Sequence, residues 1–417
     1  MRVALLHQNF PGQLRHVAIS LQARGEDVLA IGGPQAKALP PIPLEQYDPC
    51  PPGGVPACHP WATDLQTKAL RAEAVGKQLE QLRNQGWVPD VVVGHSGWGE
   101  LLAVKDVLPR TPVLHLMEFF YAVEGADVGF DPEFRDESWS NRTRVRLRRA
   151  AQLLAVQDLD WAVLPTRFQA STIPIEYHNR LSLIHEGIDT ARIRPDQSRH
   201  INLKKAGLCF RPGDELVSFV NRNLEPMRGF HTFMRCLPTL QRLRPKAHVV
   251  IVGSDGVSYG QPPACGGTWK QKLLEELQGQ LDLSRIHFVG PIPHPVLHDL
   301  FRICSCHVYL TYPFVLSWSL LEAMSCEAVV IGSDTPPLHD VIEPGRNGLL
   351  VDFFDTTAMA ERIAAVLADY AGHRHLGVEA RRTVVERFDL ASVCLPQMLE
   401  LVDDVAAGRP GQHPFGG

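Results

Sequence analysis

Residues 311–334 read TYPFVLSWSLLEAMSCEAVVIGSD. The run FVLSWS leads into apolar residues at helical spacing, Leu320, Leu321 and Met324, and the segment closes on AVVIGS, the pattern of a buried strand. A loop that feeds a helix N-terminus leaves backbone N–H groups without intrahelical partners, and these suit a phosphate. Glu322 falls in the first turns of the expected helix. A carboxylate there can hold a pair of hydroxyls, so the segment describes a site for a nucleotide that carries a sugar. The plainer reading of Glu322 is a solvated helix glutamate.

Outward from this stretch, strand-sized apolar runs alternate with helical patterns in two series. The first runs Val3–Leu6, Val28–Ile31, Asp90–Val93, Pro112–Leu116, Trp161–Pro165 and Leu181–Ile184. The second runs Leu216–Val220, Ala247–Gly253, Ile286–Val289, His307–Leu310 and Ala328–Ile331. Such alternation predicts an α/β chain, with parallel sheets covered by helices on both faces. Two series predict two Rossmann-like, doubly wound domains, residues 1–195 and 196–390. Residues 391–417 are expected to add a C-terminal helix packing back towards the first domain and a disordered tail, GRPGQHPFGG. The Pro- and Gly-rich segments Leu39–Pro60 and Tyr259–Gly267 read as surface excursions.

Composition narrows the classes. With 417 residues, 45% hydrophobic content and a net charge of -5, the chain reads as globular and as no general nucleic-acid binder. Its mean hydropathy is -0.08, and no run reaches transmembrane length. The N-terminus MRVALLHQNFPGQ reads as a first strand, not a signal peptide. The 9 scattered cysteines lack CxxC pairs, which points to reduced thiols in the cytoplasm, with Cys304 and Cys306 as core residues. No metal-ligand cluster is evident, and no resident cofactor is expected. The first strand is not followed by GxGxxG, which disfavours an NAD-dependent oxidoreductase.

Two further segments suit the same anion. NFPGQLRH follows the first strand, where Gly12 would let the backbone approach a ligand at a helix start. NRNLEPMRG follows the Leu216–Val220 strand and sets Arg222 and Arg228 at its carboxyl end, where ligands of such sheets bind. Guanidinium groups offer phosphate paired donors. An ordinary turn and solvated arginines are the alternatives.

Together these residues resemble glycosyltransferase family 4. NRNLEPMRG is similar to its arginine-to-lysine-glycine signature, with Arg228 in place of the usual lysine. HVVIVGSDG, IHFVGPIPHPVLHDLFRICSCHVYL, SLLEAM, SDTPPLHDVIEPGRNGLLVD and LIHEGIDTARIRP resemble other segments of that family, and the likeness is strongest over Val217–Asp352. The resemblance implies a GT-B fold, two Rossmann-like domains facing across a cleft. It implies retaining transfer of a sugar from a nucleoside diphosphate sugar, UDP- or GDP-linked, to an acceptor hydroxyl, with no metal. Arg222 and Arg228 would stabilise the leaving diphosphate. Gly12 would face it, Glu322 would hold the ribose, and Val289 would lie beside the base.

The chain departs from the family at two places. The usual glutamate eight residues before Glu322 is Phe314, so donor contacts fall to Ser317, Trp318, Ser319 and Leu320 at the loop and helix start. The usual histidine after the Pro112–Leu116 strand is Glu118, which either takes the sugar or acceptor contact or is structural. His95, in GHSGWGE, is a second candidate, or else a buried histidine bonded to backbone. The acidic loop GADVGFDPEF shapes the acceptor pocket or is a plain loop.

Arg142, Arg144, Arg146, Arg148 and Arg149 lie on one predicted helix. They could approach anionic lipid at the inner membrane face, or form a solvated face. The acceptor, whether a glycan, a lipid-linked or a small molecule, is not specified. The departures leave two alternatives open: a non-catalytic GT-B subunit binding a sugar nucleotide or glycan, and a sugar-nucleotide epimerase.

Overall fold

The computed structural model describes residues 1–51, 53–203 and 207–415. The chain divides into two compact units, Met1–Gly187 with Ala391–Gly417, and Ile188–Leu390. The division falls earlier than the proline-marked junction expected at 195.

The first unit holds seven strands: β1 Arg2–Leu6, β2 Asp27–Gly32, β3 Leu44–Gln46, β4 Val91–His95, β5 Val113–Leu116, β6 Trp161–Leu164 and β7 Leu181–Leu183. Their order is β3-β2-β1-β4-β5-β6-β7, and every pairing is parallel. Continuous apolar runs such as VVVGH of β4 are needed because such a sheet is covered on both faces. Side-chain alternation sorts the two faces. Val3, Leu5, Val91 and Val93 pack with Leu14, Val17 and Leu21 and with Met398, Leu401 and Val405 of the helix Leu395–Ala406. Ala4, Leu6 and Val92 pack with Val75 and Leu79 of the helix Thr63–Asn84.

The second unit contains an antiparallel pair, β8 Ile201–Leu203 and β9 Leu208–Phe210. Its main sheet comprises β10 Leu216–Asn223, β11 His248–Ser254, β12 Ile286–Gly290, β13 Cys306–Tyr309, β14 Val330–Ser333 and β15 Leu349–Val351. The order is β12-β11-β10-β13-β14-β15, again all parallel. Phe219 stacks on Phe233 at 4.4 Å on one face. Leu216, Val220, Val250 and Val252 join Leu300, Phe301, Leu320 and Leu321 on the other. In each sheet the strand order reverses once, between β1 and β4 and between β10 and β13. The carboxyl ends beside such a reversal are where ligands of these sheets bind.

Two expectations are corrected. Within Leu39–Pro60 lies an edge strand, β3, paired to β2. The tail is not disordered as far as it is described: the Leu183 N–H donates to His413 and the Phe415 N–H to Leu181, so the tail pairs with β7. Neighbouring backbone, not its own composition, satisfies it. Gly416 and Gly417 lie outside the described residues. All nine cysteines are free thiols, with Cys304 and Cys306 buried. No helix among the described residues is long and apolar enough to cross a membrane.

Burial has a pH consequence. It pushes His115, inside β5, down to about 4, and His307, inside β13, down to about 3. Both folded values lie below the unfolded value near 6.5, so the unfolded chain binds more protons as pH falls through that window. Stability contributed by each neutral histidine is therefore complete above about pH 6.5 and lost as pH falls towards the folded values. At about pH 5 the loss is about 2 kcal/mol per histidine relative to about pH 7. Denaturant unfolding at the two pH values should show it. His115→Leu should remove the part that His115 contributes, since its Nδ1 has no hydrogen-bond partner to lose among the described residues.

Candidate functional site

In the second unit the carboxyl ends of β10 and β13 carry the expected donor residues. Arg222 is the penultimate residue of β10, exposed and without a hydrogen bond or ion pair among the described residues. Arg228 is placed differently. It is 6% exposed, and its Nη1 donates to Thr311 Oγ1 at 2.8 Å and to the Val315 carbonyl at 2.8 Å. Its guanidinium also faces the Tyr259 and Phe314 rings at 5.4 and 5.7 Å. Phe314, 4% exposed, meets Tyr259 edge-on at 5.0 Å. The ring at the departed glutamate position is thus a packing element beside a buried cation. Arg228 binds the 311–315 loop, and its charge reaches the strand ends through that frame.

Glu225 went unrecognised in the sequence. It is 1% exposed, and its carboxylate accepts the N–H groups of Ser258, Tyr259 and Gly260 at 3.1, 3.2 and 2.9 Å. It fixes the loop that carries Tyr259. Gly229 follows Arg228 at φ +68, and a Cβ there would stand 2.3 Å from Leu310 Cβ, so only glycine joins β10 to the helix Phe230–Leu243.

Ser317 occupies the N-cap position of the helix Trp318–Ser325 without a side-chain capping bond, and its N–H donates to Tyr309 Oη at 2.8 Å. Its hydroxyl lies 2.7 Å from that of Ser319. Trp318 is exposed and Leu320 is core. Glu322 is in the second turn of this helix, 7% exposed, with Oε1 3.4 Å from His298 Nε2. It is therefore no solvated glutamate. Val289 packs against the core. Its neighbours Phe288 and Gly290, with Leu224, Gly253, Asp255 and Lys270, line a cavity of about 210 Å³ at the strand ends. The sequence showed no metal-ligand cluster, but among the described residues folding assembles one group, His294, His298 and Glu322. HPVLH, two histidines at helical spacing, was its readable signal.

In the first unit the ends of β1, β4 and β5 bring His7, His95 and Glu118 together. His7, His95 and His185 each accept on Nδ1 the N–H of the second residue onward, Asn9, Gly97 and Gly187, all at 3.0 Å. With Nδ1 accepting, each ring carries a proton on Nε2. The His95 Nε2 is 3.6 Å from Glu118, and that of His185 is 3.6 Å from Glu186. Gln13 Nε2 bridges the two carboxylates, at 2.7 Å to Glu118 and 3.2 Å to Glu186. Burial pushes the Glu118 carboxyl up, but His95, Gln13 and His7 outweigh it and hold it below the usual range. Burial, with His95 alongside, pushes His7 down to about 4.

Gly12 sits at φ +43, and a Cβ there would lie 2.6 Å from His7 Cε1. Its bareness thus accommodates His7. Gln13 and Glu186 were not read from the sequence; they lie 173 positions apart. In the acidic loop, Asp131 caps a short turn through the Glu133 N–H at 2.9 Å, and burial pushes Asp127 up to about 6.

The arginine run forms the helix Trp139–Arg148. Arg142 pairs with Glu124 at 2.7 Å, Arg144 donates to Asn141 at 2.8 Å, and Arg148 stacks on Tyr121. Arg149 faces Phe120 at 4.8 Å, and Arg146 is exposed.

Comparison with known proteins identifies the family. Residues 24–193 match the model described as "Glycosyl transferase family 4 group", and residues 204–383 match "Glycosyl transferases group 1". Alpha-maltose-1-phosphate synthase of Mycolicibacterium smegmatis is 38% identical over 341 residues, 78% of this chain and 81% of that protein. D-inositol 3-phosphate glycosyltransferase of Nocardia farcinica is 27% identical over 205 residues, 48% of this chain. The match spans 43% of that relative's length, less than half. Among solved structures, HepE of Anabaena in complex with UDP and glucose superposes with a TM-score of 0.65 at 17% identity, covering 97% of this chain and 100% of that one. Two matched segments that tile both α/β units, a relative aligned across most of both chains and a shared GT-B fold lead to one assignment: this chain belongs to glycosyltransferase family 4.

Proposed function

We propose that this chain is a retaining glycosyltransferase that moves a sugar from a nucleoside diphosphate sugar, UDP- or GDP-linked, to an acceptor hydroxyl, with no metal ion required. The observation that carries the reading is the pairing of an unengaged Arg222 at the end of β10 with the open helix N-terminus at Ser317–Trp318 after the adjacent β13. Two sources of positive potential at one strand reversal suit a diphosphate. In this reading Arg222 contacts the leaving group, and Arg228 supports it electrostatically from its buried position. Glu322 takes the ribose. The 210 Å³ cavity beside Val289 lies where a base would sit. The complex of HepE with UDP and glucose supports the same donor class.

Glu118, Glu186, Gln13 and His95 offer a dense set of acceptors and donors to a hydroxyl-rich substrate. Free thiols throughout suit a reducing compartment. Peripheral contact with anionic lipid would use Arg144, Arg146 and Arg148, near the exposed Leu147, Leu153 and Leu154.

Titration calorimetry with UDP and GDP in chelator-treated buffer tests the donor site. Arg222→Ala should weaken the bound nucleotide about 10- to 100-fold, the loss of one charge-assisted contact of roughly 1.5–3 kcal/mol. Its unfolding midpoint should not move, because the side chain is exposed and makes no contact to lose. Equal affinity in both chains would refute the role of Arg222. Nucleoside diphosphate release that requires an acceptor separates transfer from epimerisation and from a non-catalytic binding role.

A further inference from the structure

We propose that His294, His298 and Glu322 bind one divalent ion of the zinc class, and that the bound ion excludes the nucleoside end of the donor. Binding of the ion stands on the side chains alone. The exclusion rests on the proposed ribose role of Glu322.

His294 and His298 are one turn apart on the helix His294–Ile303, so their rings project from the same face. Glu322 comes from a different helix, Trp318–Ser325. The three ligand atoms lie within 4.8 Å of one another. His298 is 4% exposed, and its Nε2 has no hydrogen-bond partner among the described residues. That nitrogen points at a carboxylate oxygen 3.4 Å away that is itself buried. A tetrahedral ion with bonds of about 2.1 Å separates its ligands by about 3.4 Å. The His298–Glu322 pair already has that spacing. His294 is exposed, so its ring can rotate to complete the set without moving backbone.

Two imidazoles and one carboxylate suit zinc, cobalt or nickel, whereas magnesium and calcium prefer oxygen ligands throughout. Three protein ligands leave a position for water. The buried His298 nitrogen thereby gains a partner. A Glu322 carboxylate held by an ion cannot also accept a pair of ribose hydroxyls. The ion would act as an antagonist of the donor, and transfer itself would still need no metal.

The test uses the full chain stripped by chelator and titrated with Co²⁺. One equivalent should produce a visible d–d band that Zn²⁺ displaces. His294→Ala should weaken the ion at least about tenfold, the loss expected even for a supporting residue of a metal site. Circular dichroism should be unchanged, because that ring is exposed. His298→Gln should weaken it as well.

Zn²⁺ should reduce UDP affinity in the parent chain, measured calorimetrically, and have no such effect in His294→Ala. That contrast separates occupancy of the site from chelation of UDP in solution. A missing one-equivalent band, a near-ultraviolet thiolate charge-transfer band, or a band indifferent to both substitutions would overturn the ion site. UDP affinity unmoved by Zn²⁺ in the parent chain would overturn the exclusion. Failure of UDP and GDP alike to bind the stripped chain would count against the nucleotide reading instead, and the Co²⁺ titration of the three chains would still decide the ion site.

Discussion

Glu225→Ala is expected to lower the unfolding midpoint of the Ile188–Leu390 unit by roughly 10 °C, a loss of about 4 kcal/mol at 2–4 °C per kcal/mol for a domain of this size. The carboxylate accepts three consecutive N–H groups, from Ser258, Tyr259 and Gly260. Hydrogen bonds to a charged group contribute about 1.5–3 kcal/mol each, and water reaching the vacated loop would recover part of the sum. Glu225→Gln is informative because the amide keeps the shape. One oxygen now serves Ser258 alone, while the other serves both Tyr259 and Gly260, and replacing either by NH₂ sets donor against donor. The glutamine variant should therefore fall between alanine and the parent. A midpoint unchanged in both would mean that the loop holds itself. Nucleotide affinity should fall too, because Tyr259 packs against Phe314 and Arg228.

Arg228→Ala is expected to cost about 3 kcal/mol of stability and to weaken nucleoside diphosphate binding about 100-fold or more. The stability loss follows from a buried acceptor, Thr311 Oγ1, and a part-buried one, the Val315 carbonyl, left without a donor, and from the emptied space beside two rings. The binding loss follows from removing a partly buried positive charge near the strand ends. Arg228→Lys separates the two effects. An ammonium keeps the charge but lacks the planar fork that serves both loop acceptors. It should retain most of the affinity and still unfold several degrees lower. Equal stability of the lysine variant and the parent would show that the fork is not what holds the 311–315 loop.

Much of the architecture was legible because long apolar runs have one structural outcome. VVVGH and the LVSFV of β10 cannot be exposed on either face, so they had to be central strands of covered sheets. Among the described residues, the strands that escaped are four of the five three-residue ones, LEQ, INL, LCF and LLV, too short to display a period of two. They exist because a neighbouring edge or partner strand offers hydrogen bonds. The tail residues 413–415 are ordered for the same reason, against β7.

The site shows the same boundary. The position of Arg222 could be anticipated because a free charge at a strand end needs no distant partner. Arg228 looked equivalent, since nothing in NRNLEPMRG reveals that Thr311 and Val315, 83 and 87 positions on, take its hydrogen bonds. Glu322 could be placed on a helix near the nucleotide, but its neighbour His298 is contributed by another helix.

Hydrophobic periodicity and turn chemistry, which act between residues a few positions apart, were enough to dictate two doubly wound α/β units, while the family rested on the likeness of motifs such as NRNLEPMRG. Which charges remain available to a ligand was settled only when distant loops closed over the strand ends. The reason is desolvation: a polar group taken out of water must find its partner in whatever the fold brings alongside. That choice buried Arg228 and Glu225 into the frame, left Arg222 in solvent, and set His298 against Glu322.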